Sequence, residues 1–457
     1  MSVAEYDLIV IGSGQAAGPL CSAFADAGRK ALLVEREHVG GCCINEGCTP
    51  TKTMIASGRN AYLARRGADF GVRTGTISVD MAKVRERKRH VVDTFRDGSQ
   101  KHIVSSGVEL LFGVASFTGP NAVAVGLNEG RRLDATAPAI VIDTGGRPKA
   151  LVLEGAESVP VLDSTSVMEL DDVPEHLIVM GGGYIGLEFG QLFRRLGSRV
   201  TIVQRGKQLL NREDPDVAGE MLNILRKDGI EVLLETSLVR VAPGVQLTVA
   251  SAGRERTIEA SHLLNATGRV PNTEQLNVPA AGVRTDAKGR IPVNERLETN
   301  VPGVYAVGDV NGGPQFTHIS YDDFRILKAN LLEGKQLTTR DRLVPYVVYT
   351  DPELGRIGMT EQQARQADRN VRVASMPMSS VARALEMDES RGMMKAIVDG
   401  DSDQLLGCAM LGVFGGEMMS LFEVAMMGKL PYAALQQGIF AHPTLAEAFN
   451  NLFDRLK

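Results

Sequence analysis

Three of the five cysteines, Cys42, Cys43 and Cys48, fall within seven residues in the segment Gly40-Gly41-Cys42-Cys43-Ile44-Asn45-Glu46-Gly47-Cys48-Thr49-Pro50-Thr51-Lys52. Five cysteines in a chain of 457 residues cannot make a disulfide framework, so this clustering points to redox or metal chemistry. On a regular helix, residues five apart have Cα atoms roughly 8 to 9 Å apart, beyond the limit of about 7 Å for a disulfide. Cys43 and Cys48 can therefore bridge only across a distorted turn. Gly47 allows the distortion, and Pro50 suits the first turn of a following helix. The amides at the start of that helix, with Lys52 close by, favour a thiolate. Cys21 and Cys408 lie in a helical and an apolar stretch and read as core thiols.

The elements that must position this segment are legible on either side of it. An apolar run at 6–11 is followed by Gly12-Ser13-Gly14-Gln15-Ala16-Ala17, an alanine-rich helix, and a second apolar run ending at Glu35. Gly12 permits a tight turn, Gly14 lets backbone approach a pyrophosphate, and Ala17 keeps the helix close to the sheet. The helix start offers amides to phosphates, and Glu35 is placed to accept from an adenosine ribose. The same order returns roughly 170 residues later as a second βαβ unit: 176–180, Gly181-Gly182-Gly183-Tyr184-Ile185-Gly186, a helix to Gly197, and 199–203. There Gln204 and Arg205 stand where an NAD site carries an acid. Arg205 with Lys207 suits a 2′-phosphate, so NADPH is expected over NADH.

Between the two units, 51–107 reads as mostly helical and 108–142 as short strands with glycine turns. Residues 304–307 read as a buried strand running into Gly308-Asp309. From about residue 343, runs at 346–349, 394–398 and 405–411 mix with helical stretches, the texture of an α+β domain with an antiparallel sheet. The near balance of 50 basic and 55 acidic residues gives no electrostatic footprint for nucleic acid. With 44% apolar residues and no run of spanning length, the chain reads as soluble, not a membrane protein. The first seven residues lack the basic start and cleavage pattern of a signal peptide, so a cytoplasmic location is expected.

Taken together, these motifs identify the chain as similar to the FAD-dependent pyridine nucleotide-disulfide oxidoreductases, which include dihydrolipoyl dehydrogenase, glutathione reductase and mercuric reductase. The resemblance runs the whole length, through Ala266-Thr267-Gly268-Arg269-Val270-Pro271-Asn272, Val307-Gly308-Asp309 and His442-Pro443-Thr444-Leu445-Ala446-Glu447. It implies an α/β fold with two Rossmann-like dinucleotide-binding domains and an α+β C-terminal dimerisation domain. The expected boundaries are an FAD-binding domain in two parts, 1–147 and 272–342, an NAD(P)H-binding domain at 148–271, and the dimerisation domain at 343–457. The resemblance makes Cys48 the flavin-proximal thiolate and Cys43 the interchange thiol of a redox disulfide. Lys52 and Glu188 would pair beside the flavin, and Tyr184 would cover it. His442, oriented by Glu447, would serve as acid/base for the cysteines of the other subunit of a homodimer.

The FAD site would be drawn from Gly12, Ser13, Gly14, Gln15, Ala16, Ala17, Glu35, Gly41, Cys42, Lys52, Ala115, Thr144, Gly145, Gly308, Asp309, Thr317 and His318. The NADPH site would be drawn from Gly181, Gly183, Tyr184, Ile185, Gly186, Gln204, Arg205 and Gly268. No resident metal is expected. The implied activity is electron transfer from NADPH through FAD and the Cys43–Cys48 disulfide to a small-molecule disulfide or soft metal ion.

Departures from the family pattern refine this. Cys42 stands where the family has threonine or serine and reads as a small side chain tolerated there. The chain shows no C-terminal cysteine pair of the mercuric reductase kind, and Phe440 and Arg205 oppose dihydrolipoyl dehydrogenase, which stays as the alternative enzyme. The stretches 312–320, 391–399 and 439–443 are similar in texture to the reactive-chlorine-resistance flavoproteins described as copper(II) and mercury(II) reductases. A flavin-bound redox sensor without turnover is the alternative from another class. The basic run Arg85 to His90 reads as a solvated helix face.

Overall fold

The computed structural model describes residues 3–457; Met1 and Ser2, which begin the segment read above for a leader, lie outside the described residues. Two compact units divide the chain. One comprises residues up to 53 together with 83–149 and 268–342, and the other 54–82, 150–267 and 343–457.

The first unit is built on an eight-stranded sheet in the order Ala4–Glu5, Arg132–Thr136, Ala122–Leu127, Glu109–Gly119, Ala31–Glu35, Leu8–Ile11, Ala139–Ile142, Val304–Ala306. From Glu109–Gly119 to Val304–Ala306 the neighbours are parallel, and their register sets Leu8 opposite Ala31 and Ile11 opposite both Val34 and Ile142. Leu8–Ile11 is buried at every position because the sheet is covered on both faces, as parallel sheets require. Alternation sorts its residues. Ile9 and Ile11 join Leu32, Val34, Ile140 and Ile142 on one face, against Leu276 and Ile291. Leu8 and Val10 join Leu33 and Val141 on the other, against Leu20 and Phe24 of the helix Ala17–Asp26 and Ile326 and Leu327 of the helix Thr317–Leu332. The carboxyl ends of Leu8–Ile11, Ala31–Glu35 and Val304–Ala306 thus deliver the glycine turn, Glu35 and the Gly308-Asp309 turn, the end of the sheet where such folds bind ligands.

The second unit contains a five-stranded parallel sheet, in the order Glu231–Leu233, Arg199–Val203, His176–Met180, His262–Asn265, Val161–Leu162, with the helix Tyr184–Leu196 following the second glycine turn. It also holds a five-stranded antiparallel sheet, in the order Tyr346–Val348, Glu353–Gly358, Leu405–Gly412, Met393–Asp399, Val371–Pro377. Met418, Met419 and Phe422 of the helix Gly415–Met427 share that sheet's core with Phe449 and Phe453 of the last helix, Ala448–Phe453. Two of these strands, Glu353–Gly358 and Val371–Pro377, were not expected. The first carries two glycines and a buried Arg356, so its pattern is not that of an apolar strand.

Ionic contacts bind this unit internally. Lys395, almost wholly buried, meets Asp216 and Glu361 at 2.8 Å and Asp214 at 3.3 Å. The guanidinium of Arg195 pairs with Asp351 and lies 4.0 Å over the ring of Tyr62. Among the described residues no helix is long and apolar enough to cross a membrane. The helix Met81–Ser105 exposes Glu86, Arg87, Arg89 and His90, leaves Arg85 half-buried and buries Lys88, so the basic run is a solvated face with one buried cation.

Candidate active site

The cysteine segment folds as two helices, Gly41–Asn45 and Cys48–Arg65, broken at Glu46 and Gly47. Cys43 sits in the short helix and Cys48 opens the long one. The break brings the two sulfurs together: the Cys43 thiol is hydrogen-bonded to Cys48. That bond, followed by burial, pushes the Cys43 thiol well above its ordinary pKa. The Thr317 hydroxyl, on the first residue of the helix Thr317–Leu332, lies 3.5 Å from the Cys48 sulfur and also bonds Cys43.

Local bonds fix the segment against the first glycine turn. Gln15 donates through Nε2 to the Gly40 carbonyl at 2.8 Å, and the Gly40 amide donates to Ser13 Oγ at 3.1 Å. Asn45 Nδ2 donates to the carbonyls of Val39 at 3.0 Å and Gly41 at 2.9 Å, and Asn45 accepts from Arg96 Nε at 2.8 Å. These bonds make Asn45 and Arg96 part of the scaffold; sequence reasoning missed both, since their contacts are tertiary.

The same unit holds the other residues expected around FAD. Glu35 accepts from the Ser13 amide at 3.0 Å and the Ser13 hydroxyl at 2.6 Å, which holds its carboxylate beside the turn. Gly14 has no room for a side chain, because a Cβ there would overlap the Asp143 carboxylate; one on Gly41 would come 3.0 Å from Gly14 Cα. The two glycine backbones thus lie against each other beside the start of the helix Ala17–Asp26. The amides of that helix start, with Glu35 and Asp309, are the groups that could hold FAD. Ala115 is buried in Glu109–Gly119, and Thr144 donates to the Asn272 carbonyl at 2.8 Å, with Gly145 following it. The Gly308 amide donates to Asp323, and the ring of His318 stacks on Phe316 with centroids 5.5 Å apart. Burial holds the Asp309 carboxyl above its ordinary pKa, against the opposing charge of Arg269. Lys52 lies on the long cysteine helix in this unit, and Glu188 belongs to the second unit.

Two features of this site were invisible in the sequence. Asp143, wholly buried, accepts from the Ala17 amide at 3.1 Å and from that of Ala16, so it caps the helix under the glycine turn. Burial, with Asp323 and Asp309 adding repulsion, raises its pKa well above the ordinary carboxylate range. Arg269 donates to the Cys42 sulfur at 3.2 Å and to the Gly146 carbonyl. Burial still outweighs that guanidinium and pushes the Cys42 thiol up. Among the described residues, no three His, Cys, Asp or Glu side chains stand close enough to hold a metal ion.

In the second unit, the turn at Gly181 and Gly183 lies between the strand His176–Met180 and the helix Tyr184–Leu196, which takes in Tyr184, Ile185 and Gly186. Gln204 directly follows the strand Arg199–Val203, accepts from the Gly182 amide at 3.2 Å and donates to the Gln208 carbonyl at 3.1 Å. Arg205 and Lys207 are exposed beside it. Gly268, also expected at this site, falls in the first unit, just before the strand Arg269–Pro271. Tyr184 is 37% exposed, and the buried Glu188 accepts from the Tyr349 amide at 2.9 Å. His442 is exposed, and its Nδ1 meets the two carboxylate oxygens of Glu447 at 2.9 and 3.1 Å, which leaves Nε2 facing away from that carboxylate.

Comparison with known proteins places this geometry. The model of the pyridine nucleotide-disulphide oxidoreductase family matches residues 6–323, and that of the family's dimerisation domain matches 344–453. The probable pyridine nucleotide-disulfide oxidoreductase RclA of Escherichia coli is 36% identical over 99% of this chain and 100% of its own length. A mercuric reductase of Staphylococcus aureus is 34% identical over 97% of this chain and 81% of its own, and a dihydrolipoyl dehydrogenase of Bacillus subtilis is 33% identical over 97% of each. The solved copper(II) complex of the HOCl-induced flavoprotein disulfide reductase RclA superposes with a TM-score of 0.89 at 35% identity, covering 99% of both chains. The chain belongs to the pyridine nucleotide-disulphide oxidoreductase family and is an NAD(P)H-dependent flavin disulfide oxidoreductase that uses FAD.

Proposed function

We propose that Cys43 and Cys48 are the redox couple of an NADPH-preferring reductase whose acceptor is a small disulfide or a soft metal ion. The observation that carries this reading is the hydrogen bond between the two thiols across the helix break at Glu46 and Gly47. Bound FAD supplies the two-electron relay between the pyridine nucleotide and this pair. Cys43 gives its proton to His442 and attacks an acceptor disulfide, forming a mixed disulfide and releasing the first thiolate, which takes up that proton and leaves as a thiol. Cys48 then attacks the Cys43 sulfur, the second thiol departs, and the Cys43–Cys48 disulfide forms. With a metal acceptor, closing the same disulfide gives two electrons, to two copper(II) ions or to one mercury(II) ion.

Several residues support the chemistry in this reading. Glu447 orients His442, which passes protons to and from the dithiol of the other subunit in a cytoplasmic homodimer. Lys52 and Glu188 keep the roles that the family resemblance gives them, and Tyr184 yields to the nicotinamide. Gln204, Arg205 and Lys207 favour NADPH, since an amide and two cations donate to a 2′-phosphate that a carboxylate would repel. The domain scheme of 1–147 with 272–342, 148–271 and 343–457 is part of the same reading. It draws support from the two family matches, and the copper complex of the relative supports a metal acceptor.

The test is NADPH oxidation against a panel of disulfides, quinones, copper(II) and mercury(II), with Cys48→Ser alongside. Turnover with a disulfide or metal that vanishes in the variant is expected. Brisk turnover of dihydrolipoamide with NAD would overturn the assignment, as would NADPH oxidation supported by oxygen alone.

A further inference from the structure

We propose that the Thr317 hydroxyl is a catalytic group of the dithiol, donating to the Cys48 sulfur and holding negative charge there while Cys43 keeps its proton. The inference rests on the reading of Cys43 and Cys48 as the redox couple.

Three observations converge on the Cys48 sulfur. The Cys43 thiol bonds it from one side, and the Thr317 oxygen lies 3.5 Å away, within reach for a hydrogen bond to sulfur. Cys48 is the first residue of the helix Cys48–Arg65, and Thr317 the first of the sixteen-residue helix Thr317–Leu332, so two helix starts meet at one sulfur. The positive ends of both dipoles favour an anion there.

The hydroxyl is held in place from behind. Phe316 is extended, and its carbonyl accepts from the amides of Ile319 and Ser320 at 3.0 and 3.1 Å. One turn further on, the buried Asp323 accepts from the Gly308 amide at 2.9 Å and from Arg342 at 2.6 Å. Those bonds tie the first turns of the helix to the turn that carries Asp309. Because the hydroxyl also reaches Cys43, it remains in contact with whichever sulfur carries the charge as the disulfide opens and closes. A methyl at the same place would fill the space but give neither sulfur a proton.

The experiment is a pH titration of the long-wavelength flavin–thiolate absorption band in the anaerobic two-electron-reduced holoenzyme, for the parent, Thr317→Val, Thr317→Ala and Thr317→Ser. In the valine and alanine variants the midpoint is expected to rise by about one pH unit, which is about a tenfold loss of thiolate below both midpoints. Serine is expected to restore the parental midpoint. Valine and alanine variants that titrate with the parent, or a serine variant that stays shifted, would overturn the role of the hydroxyl while leaving the dithiol intact. A parent enzyme with no pH-dependent band would instead overturn the dithiol assignment itself.

Discussion

Replacing Arg205 by alanine should separate the two pyridine nucleotides. The side chain is exposed at the end of the strand Arg199–Val203, next to Gln204, whose amide is held by the Gly182 amide and the Gln208 carbonyl. Near a protein surface, unit charges about 4 Å apart attract by about 4 kcal/mol before desolvation, and a hydrogen bond to a charged group nets about 1.5 to 3 kcal/mol. Exposure puts Arg205 at the lower end, and Lys207 remains to hold part of the phosphate charge. The expected loss is therefore about 1.5 kcal/mol, or roughly a tenfold rise in KM for NADPH. NADH has no 2′-phosphate, so its KM should not move. Initial rates with both nucleotides at a fixed acceptor concentration measure the difference. The companion Gln204→Glu should lower the KM for NADH and raise that for NADPH, because the carboxylate accepts a ribose diol and repels a phosphate. Equal changes for both nucleotides in Arg205→Ala would refute the reasoning.

Asp143→Asn should raise stability in a pH-dependent way. The folded pKa of Asp143 lies above its unfolded value, so the native state is favoured at low pH and loses that advantage as pH climbs through the folded value. The melting-temperature gain of the variant should thus grow with pH and vanish below about pH 4, whereas a pH-independent gain would contradict this. Cys42→Thr keeps an acceptor for Arg269 and removes a thiol that burial holds protonated, so turnover should stay within about twofold, ~0.5 kcal/mol. A large loss of turnover there would mark Cys42 as a working thiol. Arg195→Met leaves the buried Asp351 with Arg59 at 3.4 Å and should cost about 3 kcal/mol of stability, read as a lowered urea midpoint. Adding Asp351→Asn should recover part of it; no recovery would show that the ion pair is not the cause.

Much of this molecule was legible because its strongest signals are local. Each glycine turn is a few residues flanked by a buried strand and a helix, and the strands His176–Met180 and Arg199–Val203 fall where the pattern puts them. Helix rise made a break between Cys43 and Cys48 the condition for any bridge, and Gly47 and Pro50 allowed it; the helices Gly41–Asn45 and Cys48–Arg65 supply that break. What escaped depends on partners far along the chain. Asp143 looks like an ordinary polar residue after a strand until the fold sets it under Ala16 and Ala17, 126 positions from its Ala17 partner. Arg269 reaches Cys42 across 227 positions. Glu353–Gly358 was missed because its central Arg356 is buried against Glu213 and Asp214, an ionic burial that no hydrophobic pattern announces. Lys88 is the converse case, a buried cation inside a run of exposed ones.

Arrival of the nucleotide's electrons at Cys43 and Cys48 is read by alkylating the enzyme before and after one equivalent of NADPH under anaerobic conditions and mapping the labelled peptides. Label is expected on Cys43 and Cys48 only after NADPH, with the buried Cys21 and Cys408 and the Arg269-bound Cys42 unlabelled throughout. Labelling of Cys43 and Cys48 that NADPH leaves unchanged would contradict it.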